Sequence, residues 1–122
     1  MPTLERVEEF IHRVETVSHD KVIDQFYSDD ASIQENNSAP RIGKANLVKK
    51  EQGVLAKTKA VSSECIRPIF IHENFVIIRW KFCFEWLDGS TSEIEEIAYQ
   101  RWNGELIQEE KFFYDPIQMK PK

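Results

Sequence analysis

Three glutamates stand where acid and base chemistry would want them. Glu35 closes a short polar segment, while Glu96 and Glu110 lie in two late segments rich in aromatic and branched residues. A carboxyl surrounded by Trp and Phe is pushed toward its neutral form, so it can hold a proton near neutral pH and release it on demand. Glu35 is the expected general base, with Glu96 or Glu110 as proton donor. Tyr27, Gln100 and Tyr114 are the polar groups expected to orient a ligand, and Trp80, Phe82 and Trp102 the aromatic walls that would hold it. A plainer reading competes with this one. Glu96 would pair with a helix Lys or Arg, Glu110 would alternate with Lys111 on an edge-like strand, and Tyr114-Asp115 would be a packed anchor followed by a turn cap.

Other chemistries lack their residues. His12, His19 and His72 are scattered over a helix, a loop and a turn, where water-exposed histidines are expected, and neither a metal site nor a Cys-His pair is indicated. Cys65 and Cys83 have no metal-ligand spacing; Cys83, between Phe82 and Phe84, reads as a packed free thiol, which suits a reducing cytoplasm. The four glycines sit at turns or loop ends, so no phosphate-cradling loop and no cofactor is implied. The net charge of −5 argues against nucleic-acid binding, and Lys44, Lys49, Lys50, Lys57 and Lys59 read as a solvated helix face. Met1 to Phe10 is charged, unlike a leader, and no apolar run is long enough for a membrane span.

The elements that must position these groups follow from periodicity. Thr3 can cap a helix with apolar Leu4, Val7, Phe10, Ile11, Val14 and Val17 at three- and four-residue spacing. Asp20 can cap a shorter second helix through Tyr27, ended by Ser28-Asp29-Asp30. A strand over 31–35 and a loop over 36–43 lead to a third helix from Ala45 to about Lys57. From Ser62 the period changes to two. Strands are expected over 63–71, 75–86, 91–102 and 106–115, joined at Glu73-Asn74, Asp88-Gly89 and Asn103-Gly104. Helices followed by a strand meander make an α+β fold: one domain over 1–122, cone-shaped, three N-terminal helices on a curved antiparallel sheet.

Turn chemistry sets which residues share a face. Three-residue turns with a left-handed glycine put Trp80, Phe82, Phe84 and Trp86 with Ile94, Glu96, Ala98, Gln100 and Trp102, and with Leu106, Gln108, Glu110, Phe112 and Tyr114. The opposite face mixes charges such as Lys81 and Glu95 with apolar Ile97, Tyr99, Ile107 and Phe113. An aromatic wall broken by a few polar groups resembles the lining of a small-molecule cavity. The other face, if it meets a second copy, would make a homodimer.

Three segments carry a family resemblance: Phe26-Tyr27-Ser28-Asp29-Asp30-Ala31 leading to Ile33-Gln34-Glu35, Pro40-Arg41-Ile42-Gly43-Lys44, and Gln100-Arg101-Trp102-Asn103-Gly104 running on to Glu110-Lys111-Phe112-Phe113-Tyr114-Asp115-Pro116. In this order the chain resembles the SnoaL-like branch of the NTF2-like superfamily, which also holds polyketide cyclases and steroid Δ-isomerases. The resemblance implies a cone-shaped fold with a small-molecule cavity. The isomerases place an aspartate base shortly after the Asp-Asp-Ala turn, where Glu35 stands. Their tyrosine donor on the first helix falls at Ile11, beside His12, and their protonated aspartic acid falls on Ala98. With both donors missing, an enolate would lack its stabilising hydrogen bonds, and steroid isomerisation is not expected.

The sequence therefore points to a protein that encloses a small apolar or aromatic ligand, either as an isomerase-, cyclase-, lyase- or hydrolase-type acid/base enzyme or as a non-catalytic binding or dimeric interaction domain. Glu35 is the discriminating residue. Facing the cavity near Trp80 and Trp102 it would serve catalysis; turned to solvent, or paired with Arg41 or Lys44, it would be structural.

Overall fold

The apolar stripe of the first seventeen residues folds as helix α1 (Leu4–Thr16), which buries Val7, Phe10, Ile11 and Val14. Its start is capped as expected, the Thr3 hydroxyl oxygen accepting from the Arg6 backbone N–H at 3.0 Å. Helix α2 (His19–Phe26) buries Val22, Ile23 and Phe26. Its N-cap is Ser18, not Asp20; Asp20 lies inside the first turn, where a hydrogen bond with Ser18 holds its carboxyl below the usual range. An acid suits both positions, so composition alone does not separate them. The computed structural model describes residues 1–122.

Tyr27 does not close α2. It opens β1 (Tyr27–Glu35), and Ser28-Asp29-Asp30 belong to that strand. A short β2 (Arg41–Ile42) pairs back onto it before helix α3 (Lys44–Leu55). Gly43 stands between them with φ 96°, a backbone conformation suited to glycine. Four longer strands follow, β3 (Thr58–His72), β4 (Phe75–Trp86), β5 (Thr91–Asn103) and β6 (Leu106–Phe113), then a 3₁₀ turn over Pro116–Met119 with the Asp115 carboxylate capping Ile117.

The sheet order is β2-β1-β6-β5-β4-β3. Four of its five pairings are antiparallel, but β1 lies parallel to β6, so the sheet is mixed and not the purely antiparallel one expected. Local turn signals report only hairpin neighbours, whereas a parallel pair is joined by a long crossover that leaves no local mark. One consequence reaches the site: β6 has a neighbour on each side and is not an edge strand, so Glu110 lies in the middle of the sheet.

Hairpin geometry decides the faces. The β4–β5 loop has three residues, Leu87 to Gly89, closed by the Trp86 N–H on the Ser90 carbonyl at 2.8 Å, with Gly89 at φ 88°. This is the expected bulged turn. The β5–β6 loop has only two residues, since Asn103 faces Leu106 across Gly104-Glu105. A bulge then follows at Gln108: Trp102 pairs with Ile107 but Arg101 pairs with Glu109. Leu106 and Gln108 therefore do not face the helices as expected. Leu106 is 37% exposed, while Ile107, expected outside, is fully buried. Gln108 turns to the β1 edge, donating to Asp30 at 2.9 Å and accepting from Ser28 at 2.9 Å. The two offsets cancel, and from Glu110 onward the expected parity returns.

The inner face packs against the three helices as one core. Phe10 of α1 sits edge-on to Phe26, Trp80 and Trp102 with ring centroids 5.4 to 6.4 Å apart. That core leaves space at one end, between α2, α3 and the sheet.

Candidate functional site

The space is a cavity of about 140 Å³, and fifteen of its 22 lining residues are hydrophobic. Alternation along the strands delivers its walls. On β4, Trp80 and Phe82 stack with centroids 5.6 Å apart and an interplanar angle of 17°. Ile94 and Glu96 come from β5, Glu110 and Phe112 from β6, and Tyr27, Ile33 and Glu35 from β1. Val22 and Ile23 of α2, Leu47 and Val54 of α3, Tyr114 and Met119 add to it. Of the residues singled out in the sequence, Glu35, Glu96, Glu110, Tyr27, Trp80, Phe82 and Tyr114 meet here.

Gln100 and Trp102 do not. Both are buried behind the wall, and they form a relay: the Trp102 indole N–H donates to Gln100 Oε1 at 2.9 Å, and Gln100 Nε2 donates to Glu110 Oε2 at 2.6 Å. The Tyr27 hydroxyl donates to the other oxygen of Glu110. Glu110 is 3% exposed, so desolvation pushes its carboxyl up to about 7, against the lowering effect of the Tyr27 and Gln100 hydrogen bonds. The same burial, with the Glu110 charge beside it, holds the Tyr27 phenol well above its ordinary value. Glu110 is thus pinned in place by donors on both oxygens.

Glu96 is different. It stands directly across from Trp80 in the β4–β5 register and takes no hydrogen bond or ion pair from any protein group. Burial pushes its carboxyl up to about 8, with further like-charge repulsion from Glu110, Glu35 and Glu51. The expected pairing with a helix Lys or Arg is absent.

Glu35 stands at the mouth, with its side chain 38% exposed. It lines the cavity, as a base would, yet Arg41 Nη2 of β2 lies 3.3 Å from Oε2 and the Tyr114 hydroxyl donates to Oε1 at 3.2 Å. The Tyr114 phenol, pushed up to about 12 by burial and the Glu35 charge, keeps its proton for that bond. Trp80 lines the same cavity as Glu35, and Trp102 does not. Ile11 and Ala98 are buried apolar residues, so no donor stands at either position.

His19 is a cavity residue that its neighbours in sequence do not mark. It is not water-exposed: its side chain is 17% exposed and lines the cavity, edge-on to Phe82 at 5.2 Å. Its Nδ1 lies 3.4 Å from Glu51 Oε1 of α3, and its Nε2 lies 2.8 Å from the Ser63 hydroxyl of β3. These partners come from three elements distant in sequence, so no spacing signal could have found them. No group of three or more His, Cys, Asp or Glu side chains is placed to hold a metal ion.

No protein-family model and no curated protein matches the sequence. Solved structures do match the fold. A protein from Mesorhizobium loti assigned to the SnoaL-like polyketide cyclases superposes with a TM-score of 0.74 at 19% identity, covering 90% of this chain and 97% of that one. A protein of ketosteroid isomerase-like fold from Catenulispora acidiphila, in complex with trimethylamine, gives 0.77 at 13% identity, covering 95% and 89%. TerC, co-crystallised with polyporic acid, gives 0.76 at 10% identity, covering 93% and 92%. The chain shares the fold of these SnoaL-like and ketosteroid isomerase-like proteins.

Proposed function

We propose that this protein encloses one small molecule in the cavity and that Glu96 exchanges a proton with it, an arrangement open to acid/base catalysis of isomerase, cyclase, lyase or hydrolase type. The observation that carries the proposal is the unpartnered Glu96 carboxyl beside Trp80 in a mostly apolar cavity. Partly buried and without a protein partner, such a carboxyl is poorly solvated and resists ionisation until a guest meets it. Glu110 is the less mobile carboxyl, and its role is to hold the wall and repel charge on Glu96. Small molecules bound to two neighbours of the same fold support a ligand here as well.

A second reading, binding without turnover, draws support from Glu35. Its ion pair with Arg41 and its bond from Tyr114 occupy the oxygens that a general base would turn on the substrate. We further propose a homodimer through the outer sheet face, where Ile97, Tyr99 and Phe113 are 43 to 47% exposed, and a reducing cytoplasmic setting, which suits two free thiols.

Ligand-observed NMR screening of single-ring compounds tests the cavity. Binders should be lost in Val22→Phe, which fills the space from α2; binders that persist there sit elsewhere and overturn the reading. For any substrate so found, Glu96→Gln should lower kcat by about 10²–10⁴-fold. A Glu35→Gln variant that alone removes turnover would return the base to Glu35.

A further inference from the structure

The cavity holds four carboxyl groups, and three of them are already answered. Glu35 has Arg41 and Tyr114, Glu51 has His19, and Glu110 has Tyr27 and Gln100. Only Glu96 has nothing. We propose that the cavity takes a compact organic cation, an ammonium-bearing molecule about the size of one ring, with its charge on Glu96 and its apolar body against Trp80 and Phe82. This rests on the reading of the cavity as the binding site.

Size sets what the void itself can hold. A void of about 140 Å³ is close to the roughly 150 Å³ that holds a benzene molecule, so one ring fills it and any larger guest would project through the mouth. Charge sets the class. The groups that raise the cost of ionising Glu96 are Glu110 on β6, Glu35 on β1 and Glu51 on α3, all negative. The cationic side chains that face the cavity are committed or peripheral, Arg41 of β2 being paired with Glu35 and Lys50 of α3 exposed and in no ion pair, while the His19 imidazole of α2 lies 3.4 Å from Glu51. The remaining titratable groups, Tyr27 and Tyr114, are donors bound to Glu110 and Glu35. A neutral guest would exchange hydrogen bonds with the protonated Glu96 carboxyl and leave the negative charge of the neighbouring carboxylates unanswered. A cation lowers the energy of all of them at once, and aromatic faces beside the carboxylate add cation–π attraction.

Binding is then linked to a proton. The free protein carries Glu96 protonated at neutral pH, since its carboxyl sits near 8. A bound ammonium favours the ionised form, so complex formation releases a proton and affinity rises as pH rises toward 8. A neutral guest held by the protonated carboxyl gives the opposite slope.

Benzylammonium and benzyl alcohol have the same shape and differ in charge. Isothermal titration of the wild-type chain with each, from about pH 6 to about pH 8.5 in buffers of different ionisation enthalpy, reads affinity and protons released together. The expected result is benzylammonium tighter by about tenfold or more at pH 8, with proton release at pH 7. In Glu96→Gln the two probes should bind alike and without proton release. Benzyl alcohol binding as tightly as the cation, or a cation affinity that falls with pH, overturns the inference while the cavity stands. Binding of neither probe at millimolar concentration removes the cation and the cavity reading together.

Discussion

Glu96 and Glu110 share one face and one apolar surrounding, yet hydrogen bonding gives them different work. Donors from Tyr27 and Gln100 fix Glu110, whereas Glu96 is free to meet a guest. Both carboxyls are raised, to about 7 and about 8, from a reference of 4.5. The native state therefore binds more protons than the unfolded state between those values, and these groups make stability fall as pH rises through the window. Urea unfolding should give a wild-type protein less stable near pH 9 than near pH 5. Glu96→Gln should be more stable than wild type by roughly 1–3 kcal/mol near pH 9, with little difference near pH 5. A wild-type stability that is flat from pH 5 to 9 would contradict the burial assigned to both groups.

At the scale of elements, the bulge at Gln108 does the sorting. It lets a two-residue turn at Gly104-Glu105 coexist with inward-facing Glu110 and Phe112. Had the register run straight from that turn, Glu109 and Lys111 would point into the core. Two neighbouring residues report on this directly. Ile107→Ala, at a fully buried position, should destabilise by about 2–4 kcal/mol, and Leu106→Ala, at one 37% exposed, by less than about 1 kcal/mol. Equal losses in chemical denaturation, or a larger loss at Leu106, would restore the three-residue turn expected between Trp102 and Leu106.

Across the whole molecule, the helices cover one face of the sheet and leave the other bare. That outer face carries the ion pairs Arg79–Glu95, Lys81–Glu93 and Arg101–Glu109 around Ile97, Tyr99 and Phe113, with Ile97 opposite Phe113 in register. A charged frame around an apolar centre is the usual build of a subunit contact. Sedimentation at micromolar concentration should give a dimer, and Ile97→Glu should return a monomer of 14.4 kDa. A wild-type monomer would refute the contact. No helix is long and apolar enough to cross a membrane.

Much of this was legible before any coordinates. Apolar period located α1, the change to period two located β4 and β5 to within a residue, and the Asp88-Gly89 turn put Trp80, Phe82 and Glu96 on one side. These are local properties, encoded by residues adjacent in the chain. What only the tertiary structure decided depends on pieces far apart. The parallel pairing of β1 with β6 placed Glu110 at mid-sheet, α2 and α3 brought His19 and Glu51 together, and β2 laid Arg41 against Glu35. Whether a glutamate is answered or left bare is settled by side chains tens of residues away. Glu96 has no partner because Arg41 is paired with Glu35 and Lys50 of α3 is exposed, and no local pattern in the sequence records that.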